Sequence, residues 1–182
     1  GKEEGIQFTM HEALRADDDD ILLVHTPNYL AEVKYAAKNK LELDPDTPVD
    51  ENVLEAARFM IGGTIIALNL ALEGKRVINL IGGMHHASAY SGSGFCVFND
   101  HAIAIRKLQH EGKIKTAVIF DIDVHAGQGT QQIFYEDPTV LTVSIHQDPR
   151  TIYPGTGFEG QMGSGKGEGM NINVPLRPGT GE

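Results

Sequence analysis

Thr116-Ala117-Val118-Ile119-Phe120-Asp121-Ile122-Asp123-Val124-His125 is the stretch whose reading decides the fold. Thr116 to Phe120 is a short apolar run rich in β-branched residues, the pattern of a buried strand. Carboxylates and an imidazole crowd its carboxyl end. Three other runs read the same way. Arg76 to Ile81 leads into Gly82-Gly83-Met84-His85-His86, Val140 to Ser144 leads into His146, and Met170 to Val174 closes the series. Helical patterns alternate with them. Asp50 to Glu73 places Leu54, Ala57, Ile61, Ile65 and Leu68 at helical spacing, with Asp50 as N-cap and Gly74 just past the end. Asn99 caps a second helix whose apolar positions are Ile103, Ile105 and Leu108, with Gly112 after it. Tyr29 to Lys38 is a shorter helix, Lys40 to Pro48 a loop, and Gln131 to Tyr135 a helical turn. Strands alternating with helices imply βαβ units and an α/β fold with a mostly parallel, doubly wound sheet flanked by helices. Ligands bind such sheets outside the carboxyl ends of the strands. Three of the four strand ends carry their chemistry there.

Composition narrows the function. A chain of 182 residues with 41% hydrophobic and 22% charged side chains buries a real core and is not disordered. Its length fits one domain, residues 1–182. With 25 acidic against 15 basic residues, net charge −10, it lacks the basic stripe of a nucleic-acid binder and suits a cationic substrate or partner. A single cysteine, Cys96, excludes an internal disulfide framework and a four-thiolate zinc site, and reads as buried filler rather than a nucleophile. No apolar run approaches the roughly 20 residues that span a bilayer, and Gly1 to Gly5 show no signal-peptide core. The expectation is therefore a cytoplasmic protein without a membrane partner. The acids Asp17 to Asp20 read as a solvated loop or a helix start. Gly160-Gln161-Met162-Gly163-Ser164-Gly165-Lys166-Gly167 mimics a phosphate loop. It lacks the Ser or Thr that should follow the lysine, and it precedes a strand. A mobile glycine-rich loop is the expectation.

Asp121, Asp123 and His125 alternate, and period-two spacing puts all three on one face of an extended segment. Buried charges are usually paired or hold metals, and zinc accepts mixed carboxylate and imidazole ligands with a position left open for catalysis. His85 and His86 follow a Gly-Gly turn that can project both into one cleft. Beside a metal-activated water, one imidazole takes a proton and the other donates to a leaving group, the parts of metal-assisted amide hydrolysis. Gly92-Ser93-Gly94-Phe95-Cys96 permits close backbone approach to a ligand, with Phe95 able to wall an apolar channel.

Four motifs in order carry a family resemblance. They are Gly82-Gly83-Met84-His85-His86, Ser93-Gly94-Phe95-Cys96-Val97-Phe98-Asn99-Asp100, Asp121-Ile122-Asp123-Val124-His125-Ala126-Gly127-Gln128-Gly129-Thr130 and Tyr153-Pro154-Gly155-Thr156-Gly157. From about Leu22 onward the chain resembles the histone deacetylase superfamily, which includes acetylpolyamine amidohydrolases and acetoin-utilization proteins. The resemblance implies the arginase/deacetylase three-layer fold and zinc-dependent removal of acyl groups from amines, with an acetylated amine or acetyl-lysine as substrate. It implies Asp123 and His125 as two of three zinc ligands. His86 becomes the general base and acid, His85 an electrostatic partner and Asp121 the carboxylate orienting it. A structural potassium is implied at Asp121, with Ser144 and Ile145 alongside. Phe95 and Tyr153 become the walls of the acyl-lysine tunnel, and Gly94 the residue whose carbonyl faces the substrate amide.

The departures are specific. Ala126 stands where the family commonly has a second histidine, and Gln128 where it has the Asp or Asn supporting the second histidine. A neutral amide should hold that imidazole less firmly in its charged form and lower the pKa of His86. The family's third zinc ligand and its catalytic Tyr lie beyond the equivalent of Glu182, and an N-terminal strand and substrate loop are missing. The chain thus reads as the middle of a deacetylase domain, incomplete at both ends, with an unpaired sheet edge that invites homo-oligomers. Two other functions stay open at this point. One is a noncatalytic domain binding metal or acyl ligand on the same scaffold. The other is a binuclear ureohydrolase of the arginase type, which would want more clustered ligands than are visible.

Overall fold

Three parallel strands form the platform on which the site stands. In the computed structural model, which describes residues 8–181, β1 is Ala117–Asp121, β2 Val140–Gln147 and β3 Asn171–Leu176, in the order β1-β2-β3. The register pairs Asp121 with Ser144, and Ser144 with Asn173, so the carboxyl ends of β1 and β2 lie side by side. The leader reading of Gly1 to Gly5 falls outside the described residues.

The helices follow their sequence signals closely. They are α1 (Asp18–Ile21), α2 (Pro27–Asn39), α3 (Glu51–Leu72), α4 (Asp100–His110) and α5 (Gln128–Phe134). Side chains of Thr26, Asp50 and Asn99 accept the backbone N–H of Tyr29, Val53 and Ala102 and cap α2, α3 and α4. The acidic run is a helix start with a reciprocal capping box, since the Asp17 carboxylate accepts the Asp20 N–H and the Asp20 carboxylate the Asp17 N–H. Asp18 pairs with Lys34 and with the buried Arg58 of α3. α5 begins three residues before the expected turn, directly at Gln128.

Two apolar clusters hold these elements, and α4 belongs to both. Ile103 joins Ile21, Val33, Ile61 and Phe98 in the first, whereas Ala102 and Ile105 meet Phe134 of α5 and Val140 and Ile119 of the sheet in the second. Burying each of these large side chains contributes about 1.5–3 kcal/mol.

Four expectations need correction. Residues 76–81 form no strand, and Ile78 and Leu80 are more than 80% exposed. An apolar run becomes a strand only where a neighbour supplies its ladder bonds, and none of the described residues pairs with this one. β1 is only half-buried, on one face: Ala117 and Ile119 pack against the second cluster, while Val118 and Phe120 are exposed. The run Glu51–Leu72 is long and apolar enough to cross a bilayer by length and composition, contrary to the sequence reading. Here it packs on α4 and α2, with Ala57 and Ile61 in the core. Finally, the glycine-rich loop is packed rather than free. The Ser164 N–H donates to Tyr135 O, and a Cβ on Gly167 would strike the backbone of Glu136 and Asp137.

His25 lies between Tyr29 and Phe98, and its Nε2 accepts the Asn99 N–H at 3.0 Å. Burial lowers its pKa from the ordinary 6.5 to about 4, against a smaller opposing pull from the Ser88 and Ala89 backbone. The unfolded chain therefore binds a proton that folded His25 refuses. The stability contributed is complete above pH 6.5 and is lost as the pH falls toward 4. In denaturant titrations at pH 7 and pH 4.5, the parent chain should lose up to about 3 kcal/mol more than His25→Gln, which keeps an acceptor and does not titrate. Equal losses in the two proteins would refute this role.

Candidate active site

The tandem histidines are placed by a buried carboxylate that the sequence reading missed. Asp100, at the start of α4 and only 1% exposed, accepts the N–H of Gly83 at 3.0 Å and of Met84 at 2.7 Å, and the Thr64 hydroxyl. Together these fix the Gly-Gly turn, with Gly83 at φ +98. Downstream, the Thr130 N–H donates to His85 O and the Asn99 side chain to Ala87 O, each at 3.0 Å. Gly129 is essential to that contact, because a Cβ there would lie 2.4 Å from Ala87 O. Burial raises the Asp100 pKa. The neighbouring His101 and the bonds from Thr64 and the Met84 N–H outweigh that, and the carboxyl stays below its ordinary range.

Four side chains then form one chain of hydrogen bonds. His85 Nδ1–H donates to Asp121 Oδ2 at 2.6 Å, and His86 Nδ1–H donates to Gln128 Oε1 at 2.6 Å. The two Nε2 atoms face each other at 3.1 Å. With both Nδ1 protons committed elsewhere, that contact is a hydrogen bond only when the pair shares one further proton. Burial pulls the His86 pKa down first, and the neighbouring His85 charge pulls it further. The Gln128 bond acts in the opposite direction. The shift runs in the expected direction, and its largest cause is desolvation. Burial raises the Asp121 pKa, but the His85 bond, His85's charge and the Asp123 N–H together hold it below the ordinary carboxylate value.

Asp121, Asp123 and His125 do not converge on one face as the alternation suggested. Asp121 is the last residue of β1, and its carboxylate turns to His85 and to the Asp123 N–H. Beyond it the chain leaves extended geometry, and period two no longer applies. Asp123 and His125 do come together. Asp123 Oδ1 lies 3.0 Å from His125 Nδ1 and accepts the His125 N–H at 2.7 Å. Two ligands on adjacent corners of a tetrahedral zinc are separated by roughly 3.3 Å for bonds of about 2.0–2.1 Å. The pair therefore fits two positions of such a site. Among the described residues, no group of three or more His, Cys, Asp or Glu side chains is arranged to hold a metal.

Aromatic side chains border the cluster. The Tyr153 ring lies 5.0 Å from that of His86 and 6.1 Å from that of His125, and its hydroxyl accepts from Gln128 Nε2 at 3.3 Å. Gly94 packs on the His86 ring so closely that a Cβ would sit 2.5 Å from His86 Cδ2. The Phe95 side chain beside it is largely exposed. Cys96 is buried, which raises its thiol pKa to about 11, and its Sγ donates to Gly94 O, as befits filler. Ala126 is buried where a Cβ on Gly157 would meet it at 2.5 Å, so this corner admits only small side chains.

This arrangement has counterparts among known proteins. The model of the histone deacetylase domain matches residues 2–182. The acetoin utilization protein AcuC of Bacillus subtilis is 40% identical over 88% of this chain and 44% of its own length. A probable deacetylase of Archaeoglobus fulgidus is 39% identical over all of this chain and 52% of its own. Among solved structures, a histone deacetylase homologue from Aquifex aeolicus superposes with a TM-score of 0.85 at 31% identity, covering 91% of this chain and 47% of that one. The HDA15 HD domain superposes with a TM-score of 0.82 at 33% identity, covering 91% and 49%. The chain spans about half the length of the curated relatives it matches. These solved relatives share the arginase/deacetylase fold read from the motifs, and the chain belongs to the histone deacetylase family.

Proposed function

We propose that this chain is the greater part of the catalytic centre of a zinc-dependent deacetylase, within one deacetylase domain, acting on an acetylated amine such as acetyl-lysine or an acetylpolyamine. The hydrogen-bonded series Asp121–His85–His86–Gln128 beside the Asp123–His125 pair carries this reading. Asp123 and His125 are the residues that would hold the zinc. When bound, zinc supplies Lewis acidity that lowers the pKa of water toward neutrality. Zinc is also the metal usual in this family.

The chain's own residues supply the proton chemistry. His86, kept short of its charge by burial, is the group suited to take a proton from water and return it to the leaving amine. Gln128 holds the Nδ1–H tautomer, so that Nε2 is the working atom. His85, tied to Asp121, is the electrostatic partner of His86 and opposes the charge that His86 gains, which favours handing the proton on to the leaving amine. Phe95 and Tyr153 wall the acyl channel, and the Gly94 carbonyl faces the substrate amide. Asp121, Ser144 and Ile145 are the residues that would surround a structural potassium. The excess of acidic over basic residues favours a cationic amine or basic peptide, brought in by long-range attraction.

In the zinc-loaded protein, His86→Ala should lower kcat for an acetyl-lysine peptide by roughly 10²–10⁴-fold, measured by acetate release. Turnover at the parent rate would sink the assignment. Gln128→Glu places a carboxylate against the same nitrogen and favours the charged imidazole. The acidic limb of the kcat/KM–pH profile should then move up by about one to three pH units, because the base must be unprotonated to work. A limb that stays in place would mean that His86 is not the titrating base. A second reading is an acyl-binding domain without turnover. It draws on the neutral Gln128 and on the convergence of two metal donors among the described residues, and acetate released by the parent protein eliminates it.

A further inference from the structure

Gly94 and Phe95 are the central residues of a two-residue hairpin turn. The Ser93 N–H donates to Cys96 O at 3.2 Å, and the Cys96 N–H to Ser93 O at 2.9 Å. Both central residues have positive φ, +55 and +65. Turns of this hand favour Asn or Gly at both positions, and a bulky L residue is a genuine outlier there. The Phe95 ring does not compensate by packing, because it is 76% exposed and belongs to neither apolar cluster.

Compensation comes from a loop nearly fifty residues away. The Gly94 N–H donates to Asp46 Oδ1 and the Phe95 N–H to Thr47 Oγ1, each at 3.1 Å. The Thr47 hydroxyl in turn donates to Asp46 Oδ1 at 2.9 Å, which joins the two acceptors into one unit. That unit is rigid. The Thr47 side chain is 1% exposed, its N–H donates to Asp44 O, and its carbonyl accepts the Leu43 N–H. Two donors held in an unfavourable turn therefore face two acceptors held in a buried one.

We infer that Thr47, with Asp46, is a positioning residue that keeps Phe95 in its left-handed conformation. It thereby sets where the aromatic wall and the Gly94 carbonyl stand beside His86. The inference rests on the proposed deacetylase function, in which Phe95 and Gly94 meet the acyl group. It adds the clamp that holds them. Losing the Thr47 hydroxyl leaves the Phe95 N–H without a partner and frees the turn. Acyl recognition then suffers more than the chemical step.

The test compares Thr47→Val, which keeps the shape and removes the acceptor, with Thr47→Ser, which keeps the acceptor. Amide hydrogen exchange at Phe95, read by NMR, should quicken about tenfold or more in Thr47→Val and return to the parent rate in Thr47→Ser. For an acetyl-lysine peptide, Thr47→Val should raise KM about tenfold, well beyond any fall in kcat, and Thr47→Ser should restore it. Unchanged exchange in Thr47→Val overturns the clamp. Faster exchange with an unchanged KM overturns its link to recognition. A parent protein with no turnover sinks the proposed function, while the exchange rates still decide the clamp. Should Thr47→Val not fold, Asp46→Ala at a half-buried loop position reads the same effect at the Gly94 amide.

Discussion

One buried carboxylate holds the centre of this molecule in register. Asp100 caps the Gly82-Gly83-Met84 turn through two backbone N–H groups, is anchored to α3 through Thr64, and begins the helix that both apolar clusters share. A buried charge is tolerated only when its hydrogen bonds are complete, and here they are directed at the loop that carries His85 and His86. Removing it would leave two backbone donors unsatisfied, at about 1–3 kcal/mol each, beneath the two groups that must be aimed most accurately.

From that anchor the electrostatics follow in order. Asp121 fixes His85, the Nε2 atoms of His85 and His86 face each other, and Gln128 fixes the far nitrogen of His86. Burial is the largest cause of the low His86 pKa, and the Gln128 bond opposes it. An amide at that position leaves the imidazole oriented while adding no negative charge. Asp123 and His125 remain more open than the histidine pair.

Local pattern made much of this legible in the sequence. β1, β2, β3, α3 and α4 were readable because their apolar spacing and caps, Asp50 and Asn99, are properties of neighbouring residues. The run 76–81 misled because a strand also needs a partner, and partnership is not written in a short, mostly apolar run. The alternation of Asp121, Asp123 and His125 misled because the strand stops at Asp121, so one carboxylate turns to His85 while the other two side chains meet. Asp100, Thr47 and His25 were invisible for a common reason. Each acts on backbone 16 to 74 positions away, and nothing in the local sequence marks a polar side chain whose partner arrives only on folding.

The central claim is that Asp123 and His125 face a single cation beside the tandem histidines. Its most direct measurement is the zinc affinity of the protein by competition with a chromophoric chelator, beside His125→Ala. The expected result is zinc binding in the parent that weakens at least tenfold in the variant, since even a supporting partner of a metal ligand is worth about that much. Equal affinity in the two proteins, or no zinc binding by the parent, would contradict it.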